Sequence, residues 1–107
     1  MGKAIVSDDE RFEWDEDKSR SNRKRHGVSF EEILPAFDDP YLLEMHDEAH
    51  SNLAEVRFRG LAEIQDFVIL YLSYTEPGSG RTRIISVRPA EPIEERMYYE
   101  WRENFVI

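Results

Sequence analysis

One run of residues constrains the fold more than any other: Phe67–Tyr74, FVILYLSY, the most apolar stretch of a chain in which 35% of residues are charged. Its β-branched and aromatic content predicts a strand, and its near-continuous apolarity a central one. Glu76-Pro77-Gly78-Ser79-Gly80 follows, a concentration of turn formers that connects a hairpin. The returning segment alternates Thr82, Ile84, Ser86 and Arg88 with Arg83, Ile85 and Val87, which predicts a strand with two distinguishable faces. Upstream, Tyr41–Met45 reads as a short strand, and Leu53, Val56 and Phe58, interleaved with Glu55, Arg57 and Arg59, as another leading to Gly60.

The first third of the chain reads differently. Phe12 and Trp14 alternate with Glu13 and Asp15, a short strand ending at a turn. Asp15–His26 is polar and rich in helix formers, with acids at its start, bases at its end, and Gly27 where a left-handed cap falls. Ser29 and Glu32 have capping-box spacing, and Phe30, Ile33, Leu34 and Phe37 recur at i, i+3, i+4 and i+7. That predicts a second helix, which Pro35 should kink or shorten and Asp38-Asp39-Pro40 should end. Pro92 suits the first turn of a last helix striped by Ile93, Met97, Tyr98 and Trp101. The expected architecture is α+β: an antiparallel sheet packed with two N-terminal helices and one C-terminal helix.

A length of 107 residues fits a single domain, expected over residues 10–107 behind a loosely ordered acidic leader, residues 1–9. Cysteine is absent, which removes disulfides and thiolate chemistry and fits a reducing compartment. No run approaches the ~18 apolar residues of a membrane span, and the start lacks the apolar stretch of a secretory signal. The chain is therefore read as cytoplasmic. A net charge of −9 argues against a generic nucleic-acid binder. The charge is uneven, however. Residues 1–17 hold seven acids, whereas 18–28 hold Lys18, Arg20, Arg23, Lys24 and Arg25 without an acid, and Arg81, Arg83 and Arg88 form a second basic set.

The segment FEWDEDKSRSNRKRHGVSFEE, residues 12–32, resembles the opening signature of the BrnT-type toxins: Trp14-Asp15, Lys18, Asn22, Arg25, then His26-Gly27-Val28-Ser29-Phe30. The resemblance continues through Phe37-Asp38-Asp39-Pro40, His50-Ser51, Glu55, Arg57-Phe58 and Gly60. It extends to Tyr74-Thr75-Glu76, Arg83-Ile84-Ile85-Ser86, Arg88, Ala90, Glu94 and Tyr98. What it implies is a RelE-like fold and a metal-independent, cofactor-free endoribonuclease that cuts RNA and inhibits translation. The implied partner is a BrnA-type antitoxin, a DNA-binding protein that blocks the toxin and represses the shared operon. Operator DNA is then met only indirectly, through the antitoxin. The chain departs from the family where Pro89, Glu91, Ile93 and Glu95 replace usual basic residues around the last helix start. That departure implies a smaller RNA footprint or weak activity. The alternative function is accordingly a toxin-like interaction module that binds the antitoxin without useful catalysis.

Metal-free RNA cleavage uses the ribose 2′-hydroxyl as nucleophile and needs a base, cations for the phosphoryl oxygens, and an acid for the leaving oxygen. Arginine suits the second task, since its fork pairs with two oxygens and stays charged. Arg83 and Arg88 are the first candidates, with Arg57 beside them. Arg83 and Arg88 fall on opposite parities, so they share a site only if the strand bends or ends between them. A solvated strand residue is the competing reading for each, and a cross-strand ion pair for Arg57. His26 and His50 are the candidates for proton transfer. His26 is equally suited to capping a helix end, and His50 to holding a turn. Lys18, Lys24 and Arg25 are expected RNA contacts on the first helix, Lys18 and Arg25 two turns apart on one face. Tyr74 is a candidate stacking residue, against its ordinary role as a core aromatic. His46 and His50 lack the glutamate spacing and third ligand of a zinc site, so no metal is assigned.

Overall fold

A computed structural model describes residues 2–65 and 68–105. Two helices and six strands run in the order β1 (Ala4–Val6), β2 (Phe12–Asp15), α1 (Glu16–His26), β3 (Leu43–His46), β4 (Arg57–Ile64), β5 (Val68–Thr75), β6 (Thr82–Pro89) and α2 (Pro92–Glu103). The class is α+β. The strands form one sheet, ordered β1-β2-β6-β5-β4-β3. Every described pairing is antiparallel except β2 with β6, so the sheet is mixed where a purely antiparallel one was expected. Phe67, expected to open the central strand, lies outside the described residues.

Three expectations need correction. The second helix does not form. Ser29 Oγ accepts the Glu32 amide at 3.4 Å, as a cap would, but donates to the Glu32 carboxylate at 2.9 Å, so only one half of the box is made among the described residues. Pro35, however, has no N–H to continue an α-helical ladder, and residues 30–33 are turns followed by a five-residue 3₁₀ helix, Leu34–Asp38. The apolar spacing still serves: Phe30, Ile33 and Ala36 are fully buried. The strand expected from Leu53 begins only at Arg57, because Asn52 turns the chain with its side-chain oxygen accepting from the Ala54 and Glu55 amides at 2.8 and 2.9 Å. Leu53 is fully exposed. Within the acidic leader, Ala4–Val6 is a strand of the sheet, Ile5 opposite Trp14.

The sheet has two unlike faces. One buries Phe12, Trp14, Ala62, Leu70, Leu72, Tyr74, Ile84 and Val87 beneath the 30–37 segment. Gly60 admits the Tyr74 ring there: a Cβ on Gly60 would sit 3.1 Å from Tyr74 Cε1. The opposite face is covered by α2 at one end, through Tyr98 against Leu61 and Ile69. Tyr98 donates to Asp39 Oδ2, which also accepts the Glu63 amide at 2.8 Å. Burial together with that carboxylate pushes the Tyr98 hydroxyl above its ordinary value.

α1 has no apolar stripe and is held by polar groups instead. Asp15 caps its start by accepting the Lys18 amide, and Gly27, at φ 81°, closes its end. Its buried side chains are Ser19 and Asn22. Ser19 Oγ accepts the Phe30 amide at 3.0 Å, while Asn22 accepts the Val87 amide at 3.1 Å and donates to the Val28 carbonyl at 2.9 Å. Asn22 thus satisfies the edge of β6 beyond its short pairing with β2.

Candidate functional site

The pairing of β5 with β6 slips in mid-strand. Tyr71 faces Arg88 and Ser73 faces Ser86, but Tyr74 faces Ile84 and Thr75 faces Arg83, leaving Ile85 as an extra residue. Such a bulge inverts the alternation of side chains. Arg83 and Arg88 therefore project from the same face, which strict alternation would forbid.

Registers across the sheet place three rows on that face. Arg57, Thr75, Arg83 and Glu13 form the first, Arg59, Ser73 and Ser86 the second, and Leu61, Tyr71 and Arg88 the third. Four guanidinium groups thus share one surface. The small side chains of Ser73 and Ser86 leave its middle half-exposed even though they stand on central strands.

The four arginines differ in their partners. Arg57 Nε donates to Glu55 at 2.6 Å, and Arg83 donates twice to Glu13, at 2.8 and 3.0 Å. Glu13 also accepts the Ser79 hydroxyl at 2.7 Å; that bond, with Arg83, holds its carboxyl below the usual range. Arg88 grips Glu94 through both nitrogens at 2.8 and 2.9 Å and lies 4.1 Å over the Tyr71 ring. The pair lowers the Glu94 carboxyl and raises the guanidinium. Glu94 also accepts the Glu91 amide at 2.8 Å and so starts α2. Arg59, in the middle row, makes no ion pair among the described residues. Its Nη1 reaches the Tyr71 hydroxyl at 3.4 Å, and its buried Nε has no partner.

An imidazole lies at the margin of the same face. His46 of β3 is opposite Phe58, so the next position, Asp47, falls beside Arg57; the Asp47 amide indeed donates to the Arg57 carbonyl at 2.8 Å. Asp47 is 5% exposed, and its carboxylate oxygens lie 2.9 and 3.1 Å from His50 Nδ1. Burial pushes the Asp47 carboxyl up, but the His50 hydrogen bond and the charges of His50 and Arg59 outweigh it and bring it below the usual range. The His50 ring itself is exposed. The His46 ring packs on Phe58 instead, against the apolar face.

The remaining candidates divide. Asn22 and Ser19 fix the inward side of α1, so Lys18 and Arg25 lie on one flank and Arg20 and Arg23 on the other. Lys18 shares a surface cavity with Glu13 and Arg83, next to the arginine face. Arg20 and Arg23 line another with Ile5 and Trp14. Lys24 is exposed on the side of α1 away from the sheet, and half-buried His26 ends the helix before Gly27. Tyr74 is not at the site: it is 2% exposed, buried in the apolar face, with its hydroxyl donating to Glu44. Desolvation and that carboxylate raise its hydroxyl above the ordinary range. Arg59, Tyr71 and Asp47 were not singled out from the sequence. The signal for Arg59 was there, since two residues along a strand from Arg57 is the same face.

Fold and face together define a small α+β protein with a half-open sheet surface lined by four guanidinium groups, three of them paired with carboxylates. The family model described as the ribonuclease toxin BrnT of type II toxin-antitoxin systems matches residues 14–94, and the chain belongs to that family. The match takes in Asp47, His50, all four arginines and Glu94. No curated protein matches the chain. Among the described residues no helix is long and apolar enough to cross a membrane.

Proposed function

We propose that this chain is a metal-independent, RelE-like endoribonuclease that cuts RNA on its arginine face and inhibits translation in the cytoplasm. A BrnA-type antitoxin neutralises it and is its only route to operator DNA. The observation that carries the proposal is the bulge at Ile85, which gathers Arg83 and Arg88 with Arg57 and Arg59. Charge building on the phosphoryl oxygens during 2′-hydroxyl attack needs fixed cations within hydrogen-bond reach, and three adjacent rows carrying guanidinium groups supply them. Arg59 meets phosphate first because, among the described residues, no carboxylate is bonded to it, although Asp47 and Glu94 lie near enough to act on its charge. Arg83 follows: its side chain is 47% exposed, and its Glu13 partner, 17% exposed, stays bonded to Ser79 when a phosphate displaces it. Arg88, doubly bonded to Glu94 and stacked on Tyr71, is the hardest to free and serves best as a fixed positive wall. Lys18 and Arg25 extend the positive flank, and His50 takes the proton.

The test is cleavage of end-labelled RNA by the purified chain in excess chelator. The expected outcome is cleavage that leaves 2′,3′-cyclic phosphate ends, with Arg59→Ala slower by about 10²–10³-fold. Uncut RNA across a wide range of wild-type concentration overturns the proposal. The three arginine–carboxylate pairs favour a second reading, an antitoxin-binding module with little activity. It predicts intact RNA together with tight antitoxin binding.

A further inference from the structure

We infer that Asp47 and His50 act as one proton-transfer unit, Asp47 being the positioning residue that orients His50 to take the 2′-hydroxyl proton of RNA bound across the arginine face. The inference rests on the ribonuclease reading above and adds to it the residue that orients the base.

The geometry has three parts. Asp47 stands on the arginine face by register, one position beyond the His46–Phe58 pair. Its carboxylate is nearly sealed from solvent and has His50 Nδ1 at 2.9 Å. An ionised carboxylate can only accept, so Nδ1 carries the proton and the Nε2 lone pair is left for substrate. The turn does not need the imidazole to hold its shape. The Asp47 amide donates to the Arg57 carbonyl at 2.8 Å. Ser51 Oγ donates to the Asp47 carbonyl at 2.6 Å and accepts the Arg57 amide at 2.9 Å. Burying a carboxylate costs free energy unless it is paired, and here it is paired to an exposed imidazole, an expensive way to make a turn already fastened by its backbone. Arg59 of β4 is the cation acting on Asp47, while Arg57, its neighbour by register, is paired with Glu55, and Glu48 belongs to the same turn.

In the step, the 2′-hydroxyl gives its proton to His50 Nε2 as its oxygen bonds to phosphorus. The bond from phosphorus to the 5′-oxygen breaks, leaving a 2′,3′-cyclic phosphate. The departing oxygen takes a proton from water, and the imidazolium neutralises the resulting hydroxide.

Single-turnover cleavage is compared for wild type, His50→Ala, Asp47→Asn and the double variant, with thermal melts confirming that each is folded. His50→Ala is expected to lose about 10²-fold or more, and Asp47→Asn with the double variant to reach the same residual level, since residues working as a unit are not additive. The acid limb of the pH–rate profile should vanish in His50→Ala, and added imidazole should restore part of its rate but none to Asp47→Asn. Nitrogen-15 spectra, which need no activity, should show neutral His50 protonated at Nδ1 in wild type and at Nε2 in Asp47→Asn. Cleavage by His50→Ala within about threefold of wild type, or losses that multiply in the double variant, overturns the unit while the ribonuclease reading stands. A wild type that leaves RNA uncut overturns both.

Discussion

The two faces of the sheet share strands, residue by residue, and away from the end that α2 covers they have opposite chemistry. Along β4 and β5, Phe58, Ala62, Leu70, Leu72 and Tyr74 go to a sealed apolar core, whereas Arg57, Arg59, Tyr71 and Ser73 go to a half-open, ion-paired surface. Two-residue alternation explains both from one backbone. The same alternation explains why β6 needs a bulge: Ile84 and Val87 both belong to the core, three residues apart, and only an extra residue between them lets both point inward. Packing on one face therefore fixes which arginines meet on the other.

The comparison breaks first on stability. Leu72→Ala, with its side chain 1% exposed in the core, should cost about 2–5 kcal/mol by urea denaturation. Arg83→Ala across the sheet should cost no more than about 1 kcal/mol, because it removes an exposed ion pair. Equal losses would mean that the arginine face is structural.

A smaller effect is expected with acid. The carboxyl of Glu94 is held below its ordinary value near 4.5, chiefly by Arg88. A depressed carboxyl stabilises the fold above the unfolded-state value, and that stability is lost as pH falls through the folded one. Glu94→Gln should therefore lower stability at neutral pH, where the pair contributes, and converge on wild type in acid, so that the fall below about pH 4.5 flattens. An unchanged slope would show that the Arg88–Glu94 pair contributes nothing to folding.

Much of the fold was legible because each clue was local. The apolar run ending at Tyr74, the turn formers at 76–80, Gly27 and Pro92 each act within a few residues. The mixed sheet was not legible: the parallel pairing of Phe12 and Glu13 with Thr82 and Arg83 joins segments about seventy residues apart, and nothing local marks it. The helix expected from Ser29 shows local signals in conflict, a capping box and an apolar stripe against one proline. Within the site, Arg57, Arg83, Arg88 and His50 could be named by chemistry and resemblance. Their convergence could not, since it depends on the Ile85 bulge, and a bulge in a run of β-branched residues has no marker of its own. Asp47 was not legible either, because only the register against β4 puts it beside Arg57.

The most direct test of the arginine face is to locate bound RNA on it. A 2′-O-methyl oligonucleotide, which binds but cannot react, is titrated into isotope-labelled protein while backbone amide shifts are followed. Changes are expected to cluster at Arg59, Ser73, Ser86 and Arg83 and to weaken steeply as salt rises. Changes confined to the outer side of α1 around Lys24, or none at all, would contradict an RNA site on the arginine face.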